Sequence, residues 1–278
     1  MERRKVTFKL YPNAAQAERL AAWVRLHCEL YNAALQERIE AYRKVGLSIS
    51  YYDQQNTLPA VKAVRPEFVE LGSHALQQTL RRLDLAFQAF FRRVKAGQTP
   101  GFPRFKASQR FSGFSYPDPA GWKLLQHGGR GATIRLGSGK DAMMIRARGQ
   151  HRFGIDAKPN DLTITRKNGA WFASVTLRVS EAACARERTD DQQRGLDFGL
   201  TDWATFDDGQ AIANPRWTRE ALPKLAAVQR QRARKQKGSL RYRRLSRQAA
   251  RLHERIANLR REFVHQETAR LVRTCAVI

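Results

Sequence analysis

Residues 194–210 read RGLDFGLTDWATFDDGQ, and this stretch decides how the rest of the chain is organised. GLDFGL has the composition of a short strand and DWATF that of a second one. Asp207-Asp208-Gly209 turns the chain back toward QAIAN. Asp197 therefore falls inside an apolar run, where a buried carboxylate is costly unless something pairs with it. The glycines of this G-x-D-x-G pattern let backbone or phosphate approach closely. A carboxylate so placed suits a hard cation such as Mg²⁺, which prefers oxygen ligands. Metal-assisted phosphodiester cleavage clamps the attacking and leaving oxygens between two metals, and that needs several carboxylates. Asp197 is one part of such a site and not a site by itself.

A strand–hairpin start of this kind opens RNase H-like nuclease folds. It also opens actin-like ATPase folds, where the Asp serves nucleotide phosphates. The residues beyond the hairpin favour the nuclease. Residues 218–275 read as two long helices. Between Arg230 and Arg261, 13 of 32 residues are Lys or Arg and only Glu254 is acidic, a run that suits an extended polyanion better than one ATP. Arg230, Arg234, Lys235, Lys237, Arg241, Arg243, Arg244 and Arg247 are the candidate contacts. Beneath the charge, Leu245, Leu252, Ile256, Leu259 and Phe263 keep a helical stripe, so these helices fold. Asp202, Asp207 and Asp208 lie at hairpin ends, where turn chemistry accounts for them.

The whole chain shares this charge. Its 278 residues carry 51 Lys+Arg against 25 Asp+Glu, a formal net charge of +26. Such an excess points to a polyanionic partner, since each neutralised phosphate releases counterions. With 42% hydrophobic residues, the chain can build a core. No apolar run approaches the ~20 residues needed to span a bilayer, and MERRKVTFKLYP is no secretory signal. Cys28, Cys184 and Cys275 are far apart with no C-x-x-C, which argues against a disulfide framework or a zinc site built from these cysteines alone. The six histidines show no ligand spacing, and there is no P-loop, H-E-x-x-H or G-x-S-x-G. A reducing, cytoplasmic setting fits.

Toward the N-terminus, residues 4–10 alternate as a strand. Asn13 with Gln16 forms a capping-box pattern, Gly46 is a helix stop, and Leu20, Trp23, Val24, Leu30, Tyr31, Leu35 and Tyr42 recur at helical spacing. A shorter helix is expected over 52–63, and a strong one over 73–95 with Leu76, Leu80, Leu83, Phe87, Phe90 and Val94 on its apolar face. Arg81 and Arg82 recur as Arg92 and Arg93 three turns later, on one face that reads as phosphate-facing. In GQTPGFPRFKASQRFSGFSYP (97–117), aromatics interleave with Arg104, Lys106 and Arg110, a mixture that suits single-stranded nucleic acid. From Phe111 onward these aromatics read as core-facing strand. Strands then follow to about 180, with Asn168-Gly169 as a two-residue hairpin turn.

Taken in order, these stretches resemble the TnpB (OrfB) proteins of insertion sequences. KLYPNAAQAERLAAWVRLHCELYNAALQERIEAYRK is similar to their helix-turn-helix segment, GFPRFKASQRFSGFSYP to their central segment, and GLDFGLTDWATFDDGQAIANPRW to their first RuvC-type motif. The basic helical pair comes next, as it does in that family. The resemblance spans nearly the whole chain. It implies RNA-guided DNA endonucleases whose N-terminal half grips guide RNA and target DNA, and whose RuvC domain cuts with Mg²⁺. Asp197 matches the first catalytic aspartate, and Trp203, Asn214 and Pro215 match its flanking pattern. Family members carry further on a catalytic Glu, a four-Cys zinc ribbon and a last catalytic Asp, none of which this chain contains. CAVI (275–278) reads as the start of their next strand.

The expected architecture is α+β. A wedge-like N-terminal β-barrel (1–180) carries an inserted helical bundle (13–96) and a helix-turn-helix segment at 1–46. A linker (181–193) leads to an incomplete RNase H-like domain (194–278) with the helical pair 218–275. The expected function is guide-RNA and target-DNA binding, with no membrane and a nucleoid-associated location. Cleavage is expected to be lost for want of the second and third acids. A non-cleaving RNA/DNA-binding regulator and an actin-like ATPase with a basic extension are the alternatives.

Overall fold

The computed structural model describes residues 2–127, 131–149, 157–179 and 192–277. By its internal contacts the chain divides into two units, Met1–Cys184 and Ala185–Ile278.

The first unit opens with β1 (Glu2–Tyr11), whose alternation buries Val6, Phe8 and Leu10. Then comes α1 (Ala14–Val45), capped as the sequence expects. The Asn13 side chain accepts from the Gln16 amide, Gln16 reaches back to the Asn13 amide, and Gly46 ends the helix at φ 68°. The helix expected over 52–63 is two helices, α2 (Tyr51–Asn56) and α3 (Leu58–Val64). Pro59 has no N–H to continue α2, whereas proline is tolerated in the first turn of α3. A 3-10 turn (Pro66–Leu71) precedes α4 (Ser73–Lys95). Leu20 and Leu35 on α1 and Leu76 and Leu83 on α4 are fully buried in the core they share with the sheet. Each such leucine contributes about 1.5–3 kcal/mol by burial. Tyr42 and Val94, expected on the apolar faces, are exposed.

Six more strands complete this unit: β2 (Gly113–Tyr116), β3 (Trp122–His127), β4 (Gly131–Leu136), β5 (Met143–Arg148), β6 (Lys158–Lys167) and β7 (Ala170–Val179). With β1 they form one antiparallel sheet in the order β2-β6-β7-β1-β5-β4-β3. Asn168 (φ 51°) and Gly169 (φ 82°) make the expected hairpin turn. The four helices lie between β1 and β2 in the chain. β2 and β3 are consecutive yet occupy opposite edges. Flat, six interstrand gaps would hold them about 29 Å apart, but the six residue steps from Tyr116 to Trp122 reach at most about 21 Å. The sheet is therefore curled. Among the described residues no ladder joins β2 to β3, so the expected barrel is open along that seam.

In the second unit, β8 (Gln192–Gln193) pairs in parallel with β12 (Cys275–Val277). Most of the expected linker lies outside the described residues, but Gln192 and Gln193 belong to a strand. A three-stranded antiparallel sheet runs β11-β10-β9, with β9 (Leu196–Asp197), β10 (Asp202–Phe206) and β11 (Ala211–Ala213). Helices α5 (Trp217–Ala233) and α6 (Leu240–Thr274) match the expected pair. Leu225, Val228 and Ala249 form their buried seam, with Leu245 and Leu252 packed against it. Ser239 caps α6, accepting from the Tyr242 amide at 3.2 Å.

Candidate nucleic-acid interface

The run GLDFGL pairs over only two residues, because β9 ends at Asp197. Phe198 and Leu200 are exposed. Asp197, opposite Thr205, is exposed as well, which corrects the expectation of a buried carboxylate needing compensation. The flanking glycines nonetheless sit where backbone is close. A Cβ on Gly199 would lie 3.1 Å from the Asp202 carbonyl oxygen, and one on Gly195 would lie 3.4 Å from the Asp207 Cβ.

Of the acids assigned to turn chemistry, Asp208 makes the local contact expected of it, while Asp207 reaches across to Gly195, the residue before β9. Asp207 accepts from the Gly195 amide at 3.2 Å. Asp208 accepts from the Gln210 amide at 3.0 Å and pairs with Arg194. Those two contacts, the amide first, hold its carboxyl below the usual range. Among the described residues no three His, Cys, Asp or Glu side chains come together to hold a metal ion. A Mg²⁺ pair needs several carboxylates, and Asp197 supplies one of them at the end of β9.

Trp203, Asn214 and Pro215 turn out to shape the approach to α5. Asn214 donates to the Leu200 carbonyl at 3.2 Å and accepts from the Arg216 amide at 3.3 Å. Trp203 and Trp217 each meet Phe263 edge-on at 5.3 Å. These rings and Pro215 line a cleft of about 490 Å³. The α6 stripe placed Phe263 on the apolar face, but nothing in the sequence announced that it gathers both tryptophans.

The basic residues divide into two kinds. In the second unit, Arg230, Arg234, Lys235, Lys237, Arg241, Arg243, Arg244 and Arg247 are all exposed around the α5–α6 junction. In the first unit all four arginines of the expected face are exposed, and two of them have ring partners. Arg81 lies over the Tyr51 ring and 3.6 Å from Asp84. Arg82 lies over Phe111, 4.9 Å from its centroid, at the edge of a cavity of about 200 Å³ shared with Gln78, Thr79 and Ser115. Arg92 and Arg93 lie past the packed part of α4, and Arg104 is exposed like them. Lys106 is half-buried, its ammonium 6.0 Å from the Tyr31 ring centroid.

Two features here had no sequence signal. Asn32 on α1 clamps Lys106, donating to its carbonyl at 2.9 Å and accepting from its amide at 2.8 Å. His27 is fully buried, stacked on Phe114 with centroids 4.8 Å apart. Its Nδ1 lies 2.7 Å from the Thr79 hydroxyl, and Nε2 has no hydrogen-bond partner. Burial pushes its pKa down to about 3.

Residues 174–278 match an OrfB family model described as "Probable transposase", and residues 1–46 match a "Helix-turn-helix domain" model of the same proteins. A protein of Streptomyces pristinaespiralis named "Putative RNA-guided DNA endonuclease" is 30% identical over 98% of this chain. "Putative RNA-guided DNA endonuclease InsQ" of Escherichia coli K12 is 28% identical over 98% of it. The chain spans 64% of the length of each of these relatives. A cryo-EM structure of a "CRISPR-Cas12f Ternary Complex" aligns over 92% of this chain and 60% of that one at 12% identity, with a TM-score of 0.43, a likeness too weak to build on.

Proposed function

This chain belongs to the TnpB/OrfB family of insertion-sequence proteins, and from that premise we propose that it binds a guide RNA and, through it, target DNA. The observation that carries the reading is the exposed basic hairpin of α5 and α6. From Ala221 to His253 there is no Asp or Glu to offset its cations. Such a surface fits a phosphate backbone, whose counterions are released on binding.

In this reading the curled sheet with α1–α4 is an open, wedge-like barrel carrying an inserted bundle, in a nucleic-acid-binding domain over 1–180. Residues 194–278 form the opening part of an RNase H-like domain. Asp197 supplies one carboxylate to a Mg²⁺ site whose other ligands are not among the described residues. The single carboxylate on β9 also supports a second reading, a protein that binds RNA and DNA and acts without cutting.

The test is binding of labelled RNA and of duplex DNA to the full chain across a salt series. Affinity should fall linearly with salt on logarithmic axes. Changing Arg230, Arg234, Arg241 and Arg244 to Glu should weaken binding and lower the slope by about one for each phosphate no longer neutralised. Equal affinity and equal slope in that variant would remove the hairpin from the interface.

A further inference from the structure

From Leu85 to Pro117 there is no Asp or Glu, while Arg92, Arg93, Lys95, Arg104, Lys106 and Arg110 are all basic. The last acid before this stretch, Asp84, is engaged by Arg38 at 3.2 Å and Arg81 at 3.6 Å. Within this cationic field phenylalanines stand in solvent. Phe91 is 61% exposed, Phe105 53% and Phe102 47%. Water is a poor setting for three rings, and their exposure in one region needs an explanation.

Two of these rings are held by other rings. Phe102 meets Phe87 and Phe90 edge-on at 5.6 and 5.3 Å, and Phe91 meets Phe90 edge-on at 5.2 Å. Phe87 is backed by the Arg38 guanidinium, 5.3 Å from its centroid. The loop that carries Phe102 and Phe105 is fixed at both ends. The Gln98 amide donates to the Arg93 carbonyl at 2.9 Å, closing the end of α4, and Asn32 clamps Lys106. Between them Pro103 is buried while Arg104 and Phe105 face out. An ordered ring loses little freedom when something stacks on it.

Resting on the nucleic-acid reading above, we infer that Phe91, Phe102 and Phe105 form a stacking platform for unpaired bases of a single-stranded nucleic acid, with Arg92, Arg93 and Arg104 taking its phosphates. Charge complementarity selects this occupant over an apolar peptide or a second copy of the chain, itself cationic. Aromatic faces stack on every base, so the platform reads strandedness rather than sequence.

The experiment compares two probes on the full chain. One is a short fluorescent oligouridine and the other a ribose-phosphate strand of the same length without bases. The wild-type chain should prefer the strand with bases. Phe91→Ala and Phe105→Ala should each weaken that binding about 5- to 100-fold and leave the base-free strand bound as before. Phe→Leu at the same positions keeps apolar area and should fail to rescue. Equal binding of both probes, unchanged in the Phe variants, overturns the platform and leaves the nucleic-acid reading standing. A chain that binds neither probe and no duplex DNA overturns both. A concentration-dependent dimer abolished by Phe→Ala, with no effect on strand binding, assigns the rings to self-association and overturns the platform.

Discussion

Lowering the pH should destabilise the first unit through one side chain, His27. In the folded chain its pKa lies at about 3, against about 6.5 in an unfolded chain. Below about pH 6.5 the unfolded chain takes up a proton that the folded chain refuses, so stability falls as the pH falls, and the loss ceases near pH 3. From about pH 7 to about pH 5 the interval below the unfolded pKa is about 1.5 units, which at 1.36 kcal/mol per unit comes to about 2 kcal/mol. The structure supplies the cause. The Thr79 hydroxyl donates to the Ala75 carbonyl at 3.2 Å, so it accepts from His27 Nδ1–H, and Nε2 is left as a bare acceptor. A proton added there would bury a charge beside the Phe114 ring, cut off from water. The assay is urea unfolding followed by tryptophan fluorescence across that pH range, for the wild-type chain and for His27→Phe and His27→Gln. Other groups titrate alike in all three, so the wild-type stability should fall about 2 kcal/mol further than that of either variant. Parallel curves would mean that His27 is protonated in the folded state as readily as in the unfolded one, and the argument from burial would fail.

Asn32→Ala should cost about 1–3 kcal/mol, since it strips both hydrogen bonds from a partly buried backbone segment, and hydrogen exchange should rise around Lys106 before anywhere else. Gly113→Ala should destabilise by about 1–3 kcal/mol or more, because the added Cβ would lie 1.9 Å from the Ile164 carbonyl oxygen; thermal melting reads this directly. Asp197→Ala should change stability by less than about 0.5 kcal/mol, its side chain being exposed, and should leave RNA affinity unchanged. The 278-residue chain with Mg²⁺ should leave plasmid DNA uncut, and nicking that disappears in Asp197→Ala would refute the lone-carboxylate account.

Features written in neighbouring residues were legible in the sequence. Asn13, Gln16 and Gly46 bound α1 by contacts within a turn, and Asn168-Gly169 fixed its hairpin by backbone preference alone. The split of the second helix was also local, in Pro59, but the apolar spacing on either side concealed it. What could not be read depended on distant partners. All four arginines of the repeat are exposed, but Arg81 and Arg82 lie over Tyr51 and Phe111, ring partners that the repeat itself does not announce. Asp197 looked buried because its neighbours are apolar. Phe198 and Leu200 are exposed with it, and apolar composition in a two-residue strand says little about which way it faces.

The place of β1 has a consequence for how the chain is made. Made before the other six strands of its sheet, it ends up in the middle of them, with Leu10 opposite Trp171 on β7 and Ala147 on β5. Neither partner exists until most of the first unit has been synthesised. Helices α1 and α4 can assemble on local contacts, but β1 must wait, its apolar residues Val6, Phe8 and Leu10 uncovered. Pairings this distant in sequence fold slowly, and an unpaired strand held open in the meantime is the segment most exposed to wrong partners. Synthesis rate and chaperone supply, rather than final stability, should therefore govern how much of this protein reaches its native sheet.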